Sequence, residues 1–150
     1  AAEWFEEMRR NCGTTPNVIS YHTLLKTYGD DKEVEKAAEL FREMKSTPGV
    51  APDTISHSTL LKAYGDAKEV EKAAELFREI KRTPRITPDA ISYNTLLKAY
   101  GDAEDIEKAA GLFRETKSTP GITPDEISYN ILLKAYGAAE EIVQAAPTFR

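Results

Sequence analysis

Cysteine is almost missing from this chain: Cys12 is the only one in 150 residues. A single thiol excludes an internal disulfide framework and a cysteine zinc site. Histidine is nearly as scarce. His22 and His57 are too few, and too regularly placed, for a metal cluster. No apolar run approaches the roughly 18 residues that a membrane-spanning helix needs. No nucleophile–base pair, paired-carboxylate site or phosphate-cradling glycine loop appears. The expectation is therefore a chain without catalytic residues, metal or cofactor. Excess base is missing as well. Lys and Arg number 20 against 25 Asp and Glu, a net charge of −5. At first sight that argues against a nucleic-acid partner. It does so only if the charges are spread evenly, because attraction of a partner is local.

What is abundant is repetition. Pro16-Asn17, Pro52-Asp53, Pro88-Asp89 and Pro124-Asp125 recur every 36 residues. The text between them is nearly constant: residues 54–89 end in KRTPRITPD and residues 90–125 in KSTPGITPD. A fixed period of this size means stacked units, each unable to bury its apolar face alone. One array over 1–150 is expected. It has a partial unit 1–17, complete units 18–53, 54–89 and 90–125, and a partial unit 126–150. The chain starts inside a repeat, which reads as a fragment of a longer array. A leader peptide, if there was one, would then lie outside this text.

Each unit reads as two helices. In residues 90–125, Tyr93, Leu96, Leu97 and Tyr100 lie on one helical face, and Ile106, Ala109, Ala110 and Phe113 on another. Gly101 is expected to end the first helix, as a glycine just past a C-terminus does. Asp102 is expected to cap the second. Asp66 with Glu69, and Asp30 with Glu33, look like capping boxes at the same place. Pro120-Gly121 and Pro124 break the chain before the next unit. Pro147 is expected to fray, kink or end the last second helix. No strand pattern competes, so the fold is expected to be all-α, a solenoid of helical hairpins.

The first helix has a second face. Ile91, Asn94 and Lys98 cluster away from its apolar stripe. Their counterparts are Ile19, His22 and Lys26; Ile55, Ser58 and Lys62; and Ile127, Asn130 and Lys134. Much of the acid sits on second helices, at Glu35, Glu39, Glu43, Glu71, Glu75 and Glu79. Stacking would then set a lysine ladder apart from the acidic surface. Plain structural roles compete. The lysines could be solvated charges, and Asp53, Asp89 and Asp125 ordinary N-caps. The isoleucines must pack against the next repeat or against a ligand.

The segments ISYNTLLKAYG and EKAAELFREM, followed by the Pro-Asp ending, resemble the pentatricopeptide repeat family. The resemblance covers essentially the whole chain in register. The period of 36 fits the related tetratricopeptide repeat, at about 34 residues, poorly. The resemblance implies right-handed superhelical stacking and binding of single-stranded RNA in a mitochondrion or chloroplast, one base per repeat. It implies base-reading pairs of His22 with Asp53, Ser58 with Asp89, and Asn94 with Asp125. Asn130 stands without a partner aspartate. Ile19, Ile55, Ile91 and Ile127 would sandwich the bases. Asn with Asp resembles a uracil-preferring pair and Ser with Asp a guanine-preferring one; His with Asp matches no standard pair. Where many members carry a basic residue near the end of helix one, this chain has Asp30, Asp66 and Asp102. Lys26, Lys62, Lys98 and Lys134, one turn earlier, are the candidates for phosphate contact. DNA and membrane are not expected as partners. The competing reading is a scaffold whose groove holds protein subunits of a larger complex.

Overall fold

A computed structural model describes residues 2–11 and 13–138. Pro147 lies outside the described residues. The described residues form eight helices and no strand. The chain divides into two compact units, Ala1–Ala67 and Lys68–Arg150. The first holds α1 (Ala2–Arg10), α2 (Val18–Asp30), α3 (Val34–Ser46) and α4 (Thr54–Asp66). The second holds α5 (Val70–Arg82), α6 (Ala90–Asp102), α7 (Ile106–Ser118) and α8 (Glu126–Ala138).

The two units follow the same plan. In the first, α2 packs on α3 as a hairpin, and both pack on α4. In the second, α6 packs on α7, and both pack on α8. The period of each apolar stripe decides what is inside. Tyr21, Leu24 and Leu25 of α2 are buried, as are Tyr93, Leu96 and Leu97 of α6. The alanine pairs Ala37-Ala38 and Ala109-Ala110 are buried too, which lets the paired helices approach closely. An aromatic contact ties each second helix to the following first helix. Phe5 meets Tyr21 edge-on with ring centroids 5.0 Å apart, and Phe77 meets Tyr93 at 4.9 Å. Such pairs add about 0.5–1.5 kcal/mol beyond their buried area. His57 occupies this aromatic register in α4, edge-on to Phe41 at 4.9 Å. Its Nδ1–H donates to the Asp53 carbonyl at 2.9 Å. It is a core aromatic.

Two expectations about the hairpin turns are corrected. Gly101 does not end α6. That helix runs through it to Asp102, with Ala103 at the C-cap. The left-handed turn residue is Glu104, at φ 59°, and Lys32 takes the same place at φ 61°. Gly101 lies instead where two helices come close, with room for no more than a methyl group. A Cβ there would lie 3.5 Å from Ile131 Cγ2 and 3.6 Å from Ala135 Cβ, so α6 and α8 cross closely at this point. Gly29 makes the same approach to Ala63 Cβ, at 3.6 Å, between α2 and α4.

The second helices are not capped by Asp30, Asp66 or Asp102. Those residues end the first helices. The N-caps are Glu33, Glu69 and Asp105, three residues later, and neither glutamate makes a side-chain cap bond. Asp105 does, accepting from the Lys108 N–H at 3.2 Å. The physical reason is the inserted turn: two residues after each aspartate, the chain must pass through the left-handed region before the next helix starts. The first helices are capped as expected. Asn17, Asp53, Asp89 and Asp125 each accept from the backbone N–H three residues on, at 2.8–3.0 Å.

Candidate nucleic-acid interface

The helix-one caps bring the expected polar pairs together by a short chain of causes. The Pro-Asp ending places an aspartate at the N-cap, and its carboxylate turns inward to satisfy an orphan N–H. One turn into the same helix stands a serine, at 20, 56, 92 and 128. Ser56, Ser92 and Ser128 are buried. The Ser128 hydroxyl lies 3.0 Å from Asp125 Oδ1 and 2.7 Å from Asn94 Oδ1. Asn94 Nδ2 lies 3.5 Å from Asp125 Oδ1. The two residues are 31 apart in sequence, and the hairpin sets them side by side.

The first unit repeats this construction more tightly. His22 Nε2 lies 2.9 Å from Asp53 Oδ1 and 3.0 Å from Ser56 Oγ. Asp53 Oδ1 also accepts from the Ser56 N–H and hydroxyl, both at 3.0 Å. Burial works against the charged form of Asp53. The Ser56 hydrogen bonds and the neighbouring His22 outweigh it and hold the carboxyl below its usual range. The carboxyl of Asp125 is lowered as well, first by the Ser128 bonds and then by Asn94. In Asp53, Asp89 and Asp125 every hydrogen bond that the carboxylate makes among the described residues falls on Oδ1. Capping therefore uses one carboxylate oxygen and leaves Oδ2 for another donor. Ser58 sits half-buried on α4 of the first unit, and Asp89 caps α6 of the second. Asn130 is exposed on α8.

The serine is the residue that sequence reasoning missed. Its signal was present: a Ser three residues after each cap, at the same period as the aspartates, is the capping-box spacing.

The isoleucine ladder is not packing material for the next repeat. Ile19, Ile55, Ile91 and Ile127 are 71, 59, 68 and 59% exposed. Ile127, Asn130 and Lys134 of α8 line an open cleft of about 400 Å³ with Lys98 and Asp102 of α6.

The lysines form a ladder, but a neutralised one. Lys26 meets Asp30 at 2.8 Å, Lys62 meets Asp66 at 3.0 Å and Lys98 meets Asp102 at 3.7 Å, each one helical turn on. Lys26 is raised by its bond to Asp30, and Asp30 is lowered by the same bond. Lys134 has Ala138 one turn on, so this pairing has no counterpart in α8. Among the described residues no cluster of three His, Cys, Asp or Glu is placed to hold a metal ion. None of the described helices is long and apolar enough to cross a membrane.

Comparison with known proteins settles the family. The PPR repeat family matches residues 16–66 and 88–138, and a single PPR repeat matches residues 55–83. The chain belongs to the PPR repeat family. No curated protein sequence matches it significantly. Among solved structures, the PPR protein PPR10 from maize superposes with a TM-score of 0.87 at 23% identity, over 99% of this chain and 21% of that one. PPR10 in complex with an 18-nt psaJ RNA element gives 0.79 at 23% identity, over 97% and 21%. Nuclear proteinaceous RNase P 2 from A. thaliana gives 0.77 at 19% identity, over 90% and 28%. The fold is thus an α-solenoid of PPR hairpins. The chain spans about a fifth to a quarter of the length of these proteins.

Proposed function

We propose that this PPR chain is a non-catalytic module that binds single-stranded RNA and reads about one base per repeat. The observation that carries the reading is the construction of each polar pair. A capping aspartate spends Oδ1 on its own helix and keeps Oδ2 free, beside a variable side chain, His22 for Asp53 and Asn94 for Asp125. An exposed isoleucine stands three residues before that side chain. This supplies an apolar surface for a base face and donors and acceptors for a base edge. The PPR10 structure that contains RNA shares the fold, which supports the same use of this surface. The pairs are His22 with Asp53, Ser58 with Asp89 and Asn94 with Asp125. Lys26, Lys62 and Lys98 meet phosphates once RNA competes with their aspartates, and Lys134, with Ala138 one turn on, meets them directly. A role in RNA processing or stabilisation in a mitochondrion or chloroplast follows from the family.

The neutralised lysines favour a second reading, a scaffold that holds protein in the same groove. A competition assay separates the two. Four RNAs that differ only at the base facing Asn94 are ranked by the wild type and by Asn94→Ser. Base reading expects the preference at that position to move from uracil toward guanine, by roughly 1–3 kcal/mol. Identical ranking by both proteins would reject base reading and raise the scaffold.

A further inference from the structure

One helix seat in the first unit stands open. Trp4 of α1 is 70% exposed, although Leu40, Leu76 and Leu112 in its register are 7, 5 and 8% exposed. Met8 is half-buried, while Met44, Ile80 and Thr116 in its register are buried. On α2, Ser20 and Thr27 are half-buried and Thr23 is exposed. Ser56 and Ala63 hold the first and last of these places in α4, and Ser128 and Ala135 hold them in α8; all four are buried. Trp4, Met8, Ile19, Ser20, Thr23 and Leu24 line the resulting groove of about 570 Å³ between α1 and α2. The same registers elsewhere show what covers them: a first helix, packed on the second helix of its hairpin and on the first helix that follows.

A matching face stands open on α8 of the second unit. Leu133 is 42% exposed, whereas Leu25, Leu61 and Leu97 in its register are 0, 1 and 2% exposed. Asn130 and Gly137 lie on the same side of the helix. Both are exposed, whereas Asn94 and Gly101 are half-buried. We infer that the chain associates head to tail, with α8 of one copy seated between α1 and α2 of a second copy. This does not rest on RNA binding.

The contact repeats one that each unit already makes. Asn94 Oδ1 accepts from the Ser128 hydroxyl at 2.7 Å, and Gly101 lies against Ile131 and Ala135. His22 lies 3.0 Å from Ser56 Oγ, and Gly29 lies against Ala63. At the junction, Asn130 meets Ser20 of the second copy, and Gly137 meets its Thr23 and Thr27. Leu133 enters between α1 and α2, as Leu25 does in the helix that packs on α3 and α4. Covering the threonines orphans no donor. Their hydroxyls already bond to the Ile19 and Thr23 carbonyls, both at 2.9 Å. Trp4 becomes a buried ring at the centre of the contact, the kind of anchor on which an interface depends. In sequence, residues 145–150 repeat the register of residues 1–6, with Pro147 where α1 has Glu3. Proline is costly inside a helix, so α1 of the second copy is the better second helix for α8. Ile127 then precedes Ile19 of the second copy as Ile91 precedes Ile127, and the exposed ladder continues from copy to copy.

The test is sedimentation equilibrium of the chain as it is, without RNA, from about 10 μM to about 1 mM. Two variants run beside it: Trp4→Glu, which spoils the seat, and Leu133→Glu, which spoils the incoming face. Both side chains are exposed, so both variants are expected to keep the fold, which circular dichroism checks. The wild type is expected to pass from monomer to dimer and then to longer species, because a head-to-tail contact leaves a seat and a face open at the two ends. Each variant alone is expected to associate at least about tenfold more weakly. An equimolar mixture of the two is expected to form dimers that grow no further, since each pair has one intact seat and one intact face. A wild type that stays monomeric throughout overturns the inference. So do variants that associate like the wild type, or a mixture that stays monomeric.

Discussion

The two units share backbone and caps yet differ in how firmly the site is held. In the first, the His22 ring closes on the cap at 2.9 and 3.0 Å. In the second, the Asn94 amide stands 3.5 Å from Asp125 and is held mainly through Ser128. The helices around both sites are alike: Tyr21 and Tyr93 are buried, and Gly29 and Gly101 sit at the crossings. The comparison shows that the scaffold sets where a polar group stands, and a single side chain sets what it offers. Variation at 22, 58 and 94 is cheap because each lies off the apolar stripe.

The sharpest way to break this likeness is to attack the cores. Phe41→Ala and Phe113→Ala each remove a buried ring. Each is expected to cost about 3–5 kcal/mol, measured by urea unfolding. A loss below 1 kcal/mol in one unit alone would show that the units are not packed alike. Next comes the crossing glycine. Gly101→Leu is expected to cost about 1–3 kcal/mol by overpacking against Ile131 and Ala135. Gly101→Ala meets ordinary contact distances and should gain up to about 1 kcal/mol. A destabilised Ala variant would show that the crossing of α6 and α8 has no room for a methyl group. The caps follow. Asp53→Ala and Asp125→Ala are each expected to cost about 1 kcal/mol, while Asp125→Asn is nearly neutral; thermal melts decide.

Acid sharpens the same contrast. Folding depresses the carboxyls of Asp53 and Asp125 below their unfolded values. Their contribution to stability is therefore complete above the ordinary aspartate range and is lost as pH falls through the depressed values. His22→Ala should return part of Asp53's depression and leave Asp125 unchanged, read by carbon-detected titration of the carboxyls. The smallest expected effect lies in a linker. Arg85 holds φ 70° where Gly49 and Gly121 stand at 78° and 82°. Arg85→Gly should stabilise by about 0.5–1 kcal/mol. No change would mean that the linker relaxes without cost.

Much of this was legible in the sequence because a period averages over error. Tyr93, Leu96 and Leu97, and their copies one and two repeats away, announce one buried stripe. The Pro-Asp endings announce the caps. The hairpin turns were not legible. Gly101 looks the same in sequence whether it ends a helix or lets two helices cross, since glycine serves both. Asp30, Asp66 and Asp102 have the composition of caps, but the lysine four residues earlier claims them. The buried serine was hidden by its size, because a hydroxyl becomes informative only when its two partners are seen converging on it.

The central claim is that RNA lies along the exposed isoleucines. Methyl spectra of isoleucine-labelled chain, recorded as single-stranded RNA is added, test it most directly. The account predicts that Ile19, Ile55, Ile91 and Ile127 shift while the buried Ile80 stays in place. Shifts confined to the second helices, at Ile80 and Ile106, with the ladder unmoved would contradict it.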